Sequence, residues 1–205
     1  MLTYMKNKQI KTVVFDLNGT LTGRVSDHPE HIRYRNTYIK ANSEVKHTQF
    51  LPDGTTMALK ACGLSPFKYY IERNSEIDWK AFHHYNEGIY NWLTTLREAG
   101  FNLVLYTDCH SVQVKKTIEI LRLSALFDLC ITEEFNMKKP SPKAFRYIAK
   151  EFNCEEAEIL MVGNDYLMDL LPLILMGGNG IQVDSENELT MVTELILTNY
   201  GRIAS

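Results

Sequence analysis

The sequence has no apolar run long enough to span a bilayer; its most hydrophobic stretch, Leu170 to Met176, is short and carries Pro172. Met1 to Ile10 is polar and basic, without the apolar segment of a secretory signal. A cytoplasmic protein that does not engage membrane is therefore expected. Paired cysteines are also missing. Cys62, Cys109, Cys130 and Cys154 are scattered with no CxxC pair, which favours reduced thiols over a disulfide framework or a zinc site. Nor is there a long block of basic charge, and a formal net charge of −3 offers no footprint for a nucleic-acid polymer. Internal repeats and low-complexity segments are absent as well.

What is present is the composition of a folded domain, 45% hydrophobic and 23% charged over 205 residues, enough for one α/β core and an insertion. Five short aliphatic or β-branched runs stand out: Thr12–Phe15, Asn102–Tyr106, Leu129–Thr132, Ile159–Val162 and Gly180–Val183. Their nearly continuous hydrophobicity predicts strands buried on both faces. Between them, helical spacing recurs at Ile89, Trp92, Leu93 and Leu96, at Val114, Ile118 and Leu121, and at Phe145, Ile148, Ala149 and Phe152. The alternation predicts an α/β fold with a doubly wound parallel sheet, in which ligands sit beyond the carboxyl ends of the strands.

Gly23 to Gly88 breaks the alternation. It is polar and tyrosine-rich, with helical candidates at His31–Asn42, Thr55–Cys62 and Asp78–Glu87 and turns at Ser65-Pro66 and Pro52-Asp53-Gly54. A structureless loop of this length is disfavoured. The expected organisation is a core of residues 1–22 and 88–205 with a small helical cap at 23–87. The cap's basic residues and tyrosines read either as an anion-binding lid or as a solvated helical surface, and His83-His84 either as a pH-sensitive pair or as an accident of the surface.

The chemistry-bearing residues follow the strands. After the first comes Asp16-Leu17-Asn18-Gly19-Thr20, a carboxylate delivered into a glycine turn whose backbone N–H groups can approach an anion. After the second, Thr107 offers a hydroxyl to a phosphoryl oxygen, followed by Asp108. After the third, Lys138-Lys139-Pro140-Ser141-Pro142 starts a helix and supplies an ammonium. After the fourth, Gly163-Asn164-Asp165 and Asp169 supply oxygen ligands of the kind magnesium prefers.

The ordered set hhhhDxNGTLT, hhhhTD, KPSPxxF and hhhhGNDxxxD, spanning Lys11 to Val183, resembles the four motifs of the haloacid dehalogenase superfamily. The insertion resembles the small cap of its phosphoglycolate phosphatase and pyrimidine 5′-nucleotidase branches. The resemblance implies a Rossmann-like core and a magnesium-dependent phosphohydrolase acting on a small phosphorylated substrate. In that reading Asp16 attacks phosphorus and forms an aspartyl-phosphate. Thr107 and Lys139 hold the phosphoryl group, with Gly19, Thr20 and Asp108 contributing to phosphate binding. Mg2+ is implied at Asp16, the Asn18 carbonyl and Asp165 (ranked above Asn164), with Asp169 in support.

Two positions depart from that family. Its phosphatases usually carry a second aspartate two residues after the nucleophile, to protonate the leaving group and later activate water; here the residue is Asn18. An amide exchanges no proton near neutral pH, so a contribution of ~10²–10⁴-fold is missing from that position. Gly163 is followed by Asn164 where an acid is usual. Slow hydrolysis, a recruited base, and a longer-lived aspartyl-phosphate all remain open. So do two other readings: a non-catalytic relative that binds a phosphorylated ligand or partner, and a metal-independent hydrolase of carbon–halogen bonds. Oligomeric state is not legible.

Overall fold

In the computed structural model the described residues are 2–5, 9–25, 28–52 and 54–200. Parts of both expected domains, including Asp53 of the expected turn, lie outside them. The chain divides into two compact units, Met1–Gly23 with Tyr85–Ser205, and Arg24–His84.

The larger unit is built on a six-stranded sheet. Its strands are β1 (Leu2–Tyr4), β2 (Thr12–Phe15), β3 (Asn102–Tyr106), β4 (Leu129–Ile131), β5 (Ile159–Gly163) and β6 (Asn179–Gln182). Spatial order is β1-β6-β5-β2-β3-β4. From central β2 the chain winds outward through β3 and β4, then returns to β5 on the other side, so the switch point lies between β2 and β5. In doubly wound sheets this is the place, beyond the strand ends, where ligands bind.

Alternating side chains put the two halves of the core on opposite faces of the sheet. Val13, Phe15, Leu103, Leu105, Leu160 and Val162 pack with Leu93 and Leu96 of the helix Glu87–Glu98, Val114 and Ile118 of the helix Ser111–Ile120, and Val192 and Ile196 of the helix Leu189–Tyr200. Val14, Val104, Tyr106 and Met161 pack with Phe145 and Ile148 of the helix Lys143–Glu151 and Leu173 of the helix Leu171–Leu175. Covering on both faces explains why the parallel strands read as unbroken apolar runs.

The sheet is mixed rather than wholly parallel, because β1 pairs antiparallel with β6. This strand has three exposed residues at an edge and so leaves no burial pattern for the sequence to display. The strand β4 ends at Ile131 and β6 starts at Asn179, each one residue earlier than expected.

In the smaller unit, α1 (Pro29–Asn42), α2 (Thr55–Ala61) and α3 (Pro66–Glu76) enclose a core of Tyr38, Ile39, Ala58, Leu59 and Tyr69. The helices of the larger unit follow as α4 (Glu87–Glu98), α5 (Ser111–Ile120), α6 (Lys143–Glu151), α7 (Leu171–Leu175) and α8 (Leu189–Tyr200). Ser65-Pro66, expected as a turn, is the start of α3: the Ser65 hydroxyl accepts from the Lys68 N–H and Pro66 occupies the first turn. Conversely, no helix spans 78–87. A 3₁₀ turn at Trp79–Ala81 is capped by Asp78, and α4 starts only where the Asn86 side chain accepts from Ile89 N–H. Among the described residues no helix is long and apolar enough to cross a membrane, and all four cysteines are free thiols.

Candidate active site

Asp16 directly follows β2, and its N–H donates to the Val162 carbonyl of β5, which fixes the carboxylate at the switch point. Lys139 reaches it from the loop after β4. The ammonium contacts Asp16 Oδ1 at 2.5 Å and Asp169 Oδ1 at 2.7 Å, and all three side chains are nearly inaccessible. Burial alone would lower the lysine's pKa, but Asp16 and Asp169 outweigh it and leave the group above its usual value, hence firmly cationic. Burial likewise pushes Asp169 up; Lys139 pulls it down and Asp16 pushes it up again, for a net rise. The Lys139 ammonium also sits 5.1 Å from the centre of the Tyr106 ring.

The loop after Asp16 is tied tightly to itself. Gly19 N–H donates to Thr22 O, and Leu21 and Thr22 N–H both donate to Leu17 O. Gly19 has φ +90°, and a Cβ there would lie 2.9 Å from the Asn164 side chain, so glycine permits both the turn and the close approach. The Gly19 and Thr20 N–H groups bond within the loop, Thr20 N–H at 3.4 Å from Leu17 O. The Thr20 hydroxyl instead donates to Asp16 Oδ2 at 3.3 Å.

After β3, Thr107 is buried and its hydroxyl accepts from Cys109 N–H. Asp108 is exposed, and its Oδ1 accepts Lys139 N–H at 3.0 Å. The Asn18 side chain donates through Nδ2 to Cys109 Sγ at 2.9 Å, and its Oδ1 accepts from the Thr22 hydroxyl at 3.4 Å.

After β5 the chain makes one π turn, Tyr166–Leu170. Such a turn inserts a residue and often marks functional sites. Asp165 is exposed, and its Oδ1 accepts from Leu167 and Met168 N–H, so it caps this turn. Asp169 Oδ2 accepts Asp165 N–H, and a Cβ at Gly163 would fall 2.4 Å from that same oxygen. The structure therefore brings together Asp16, Lys139 and Asp169, with Asn164 against the nucleophile loop. Asp165 points into the backbone.

Sequence reasoning passed over Glu134. It accepts from Ser111 N–H, from the Ser111 hydroxyl at 2.7 Å and from the Thr132 hydroxyl at 2.6 Å, pinning the start of α5 to the loop after β4. Burial raises its pKa, but the hydrogen bonds from Thr132 and Ser111 prevail and bring it down to about 2. No spacing signal announces a glutamate that works through backbone capping.

Magnesium takes oxygen ligands and keeps several waters, so it asks for one or two carboxylates rather than a full protein cage. Among the described residues no three His, Cys, Asp or Glu side chains form a metal-binding group. What the switch point offers is the Asp16 carboxylate, whose Oδ2 accepts only the long Thr20 contact among the described residues, Asn164 beside Gly19, and Asp169 bonded to Lys139. This all-oxygen set fits the ion.

A carboxylate clamped by a buried ammonium at the switch point of a doubly wound sheet places the chain among α/β proteins that carry out chemistry at their strand ends. Residues 10–177 match the family described as haloacid dehalogenase-like hydrolase, and the chain belongs to that family. It is 26% identical to pyrophosphatase PpaX of Bacillus velezensis over 79% of this chain and 78% of that protein. It is 37% identical to glyceraldehyde 3-phosphate phosphatase of Pyrococcus abyssi, over 38% of this chain but only 33% of that protein. The structure of a predicted phosphoglycolate phosphatase from Haemophilus somnus covers 91% of this chain and 99% of its own, with TM-score 0.64 and 18% identity; it supports the fold.

Proposed function

We propose that the chain is a phosphohydrolase that cleaves a small phosphomonoester by way of an aspartyl-phosphate on Asp16. The observation that carries this reading is the Lys139 ammonium bridging Asp16 and Asp169. A fixed buried cation beside a strand-end carboxylate is what an incoming phosphoryl group and its attacker both require. The names of the relatives, all enzymes of phosphate compounds, agree with it.

Thr20 orients Asp16 so that one carboxylate oxygen attacks phosphorus in line with the leaving oxygen. Lys139 neutralises the equatorial oxygens and the Thr107 hydroxyl donates to one of them. The Asp169 carboxylate holds Lys139 in place. Water then attacks phosphorus, frees inorganic phosphate and restores Asp16. Magnesium, when bound by Asp16, the Asn18 carbonyl and Asn164, would add positive charge against the phosphoryl oxygens. Residues 23–87 are the small helical cap in this reading, and the protein works in the cytoplasm.

The test is phosphate release from a panel of nucleotides, sugar phosphates and phosphoglycolate, with and without magnesium, on the wild type and Asp16→Asn. Metal-stimulated release abolished by the substitution supports the reading. Release that survives it refutes the nucleophile.

A further inference from the structure

The reaction needs a proton carrier, and Asn18, at the position where one is expected, cannot be it. We infer that Asp108 is that carrier, the general acid that protonates the leaving group and the base that later activates water. The inference rests on the phosphohydrolase reading above.

Most carboxyl groups at the strand ends are already engaged. Asp16 is the attacker. Asp169 is locked to Lys139 through one oxygen and to Asp165 N–H through the other. Asp165 caps the π turn. Glu134 is pinned by Ser111 and Thr132 and held ionised. Asp108 differs from all of these. It is exposed, adjoins Thr107, and uses only Oδ1 in a hydrogen bond among the described residues, to Lys139 N–H at 3.0 Å. That one bond anchors the carboxyl to the residue whose ammonium clamps Asp16, and the second oxygen is left for chemistry.

The surroundings also suit a proton carrier. Although the residue is exposed overall, partial desolvation of the carboxyl raises its pKa above the ordinary aspartate value. The Lys139 N–H and the Lys139 and Lys138 ammonium groups oppose that, and Asp169 adds to it, leaving a net rise. An arriving phosphate dianion pushes the same way, since an ionised carboxylate beside it would be repelled. A protonated Asp108 removes that conflict.

The proton balance closes. As Asp16 bonds to phosphorus and the phosphorus–oxygen ester bond breaks, the Asp108 proton passes to the leaving oxygen and gives the neutral alcohol. The Asp108 carboxylate next takes a proton from the attacking water. The phosphorus–Asp16 bond breaks, inorganic phosphate leaves, and both carboxyl groups return to their starting states.

Asp108→Asn keeps the acceptor for Lys139 N–H and removes the proton, so it tests the role with little disturbance. With p-nitrophenyl phosphate, whose leaving group needs no acid, the variant should release about one equivalent of p-nitrophenolate per enzyme in a burst and then stall. With phosphoglycolate, whose alkoxide needs a proton, it should lose ~10²-fold or more in kcat, and the fall of kcat/KM at high pH that the proposal requires of the wild type should vanish in the variant. An unchanged kcat on phosphoglycolate overturns the assignment, and so does loss of the burst, which would mean a merely structural role. If the wild type releases phosphate from neither compound nor from the wider panel, the phosphohydrolase reading itself falls. A failure of Asp108 with an active wild type leaves that reading standing.

Discussion

Replacing Lys139 by methionine keeps the length and apolar stem of the side chain and removes the charge that two carboxylates share. Asp16 Oδ1 and Asp169 Oδ1 both bond the same Nζ, at 2.5 and 2.7 Å, so the two oxygens lie within about 5 Å of each other. At an effective dielectric of about 20 the repulsion left between them is about 3 kcal/mol. Side-chain exposures of 6% for Lys139, 10% for Asp16 and 3% for Asp169 leave little water to screen it. Mutational experience with broken buried pairs gives a similar cost, about 3–5 kcal/mol. Lys139→Met should therefore lower the unfolding free energy in urea by this amount at about pH 8. The pH dependence has a definite sign. A carboxylate whose folded pKa is raised destabilises the fold above that pKa and ceases to do so once protonated. Asp169 is already raised and loses the support of the Lys139 cation in the variant, so the deficit should shrink as the pH falls and the carboxylate takes up its proton. In the wild type the lysine's raised pKa keeps its contribution complete below its ordinary unfolded value, so no loss arises from it in this window. A deficit under about 1 kcal/mol, or one independent of pH, would refute the reasoning.

Further consequences can be checked separately. Gly163→Ala would drive a methyl to within 2.4 Å of Asp169 Oδ2, and a loss of about 1–3 kcal/mol in urea midpoint analysis is expected, accompanied by lower activity as Asp169 moves off Lys139. Burial holds His31 and His83 neutral, each lowered to about 4, so their contribution to stability is full above the ordinary histidine value of about 6.5 and lost as the pH falls from there toward about 4. Trp79 stacks on His83, so in Trp92→Phe, which leaves Trp79 as the sole indole, fluorescence-detected melting should drop across that interval. Asn18→Asp placed in the Asp108→Asn background should recover at least tenfold of the lost phosphoglycolate turnover, because it restores a proton carrier at the position where the family usually has one.

Most of the fold was legible because parallel strands covered on both faces leave unbroken apolar runs, as at Thr12–Phe15 and Ile159–Gly163. β1 was hidden because three exposed residues carry no burial signal, and α3 because Ser65-Pro66 punctuates a turn and starts a helix equally well. At the site, strand ends marked Asp16, Thr107, Lys139 and Asp169. Side-chain direction was not legible: nothing in Gly163-Asn164-Asp165 tells which side chain faces the loop and which caps the turn. The inserted residue of the π turn decides that, and it is a property of the backbone. The same limit hid Glu134 and the engagement of Gly19 and Thr20 N–H groups within their own loop.

Passage of a phosphoryl group through Asp16 is the central claim. Rapid acid quench of the enzyme during turnover, followed by peptide mapping in a mass spectrometer, reads this directly. The expected result is the mass of one phosphoryl group on the peptide containing Asp16, absent in Asp16→Asn and persistent in Asp108→Asn. Turnover with no phosphorylated peptide, or with the group on any other residue, would contradict it.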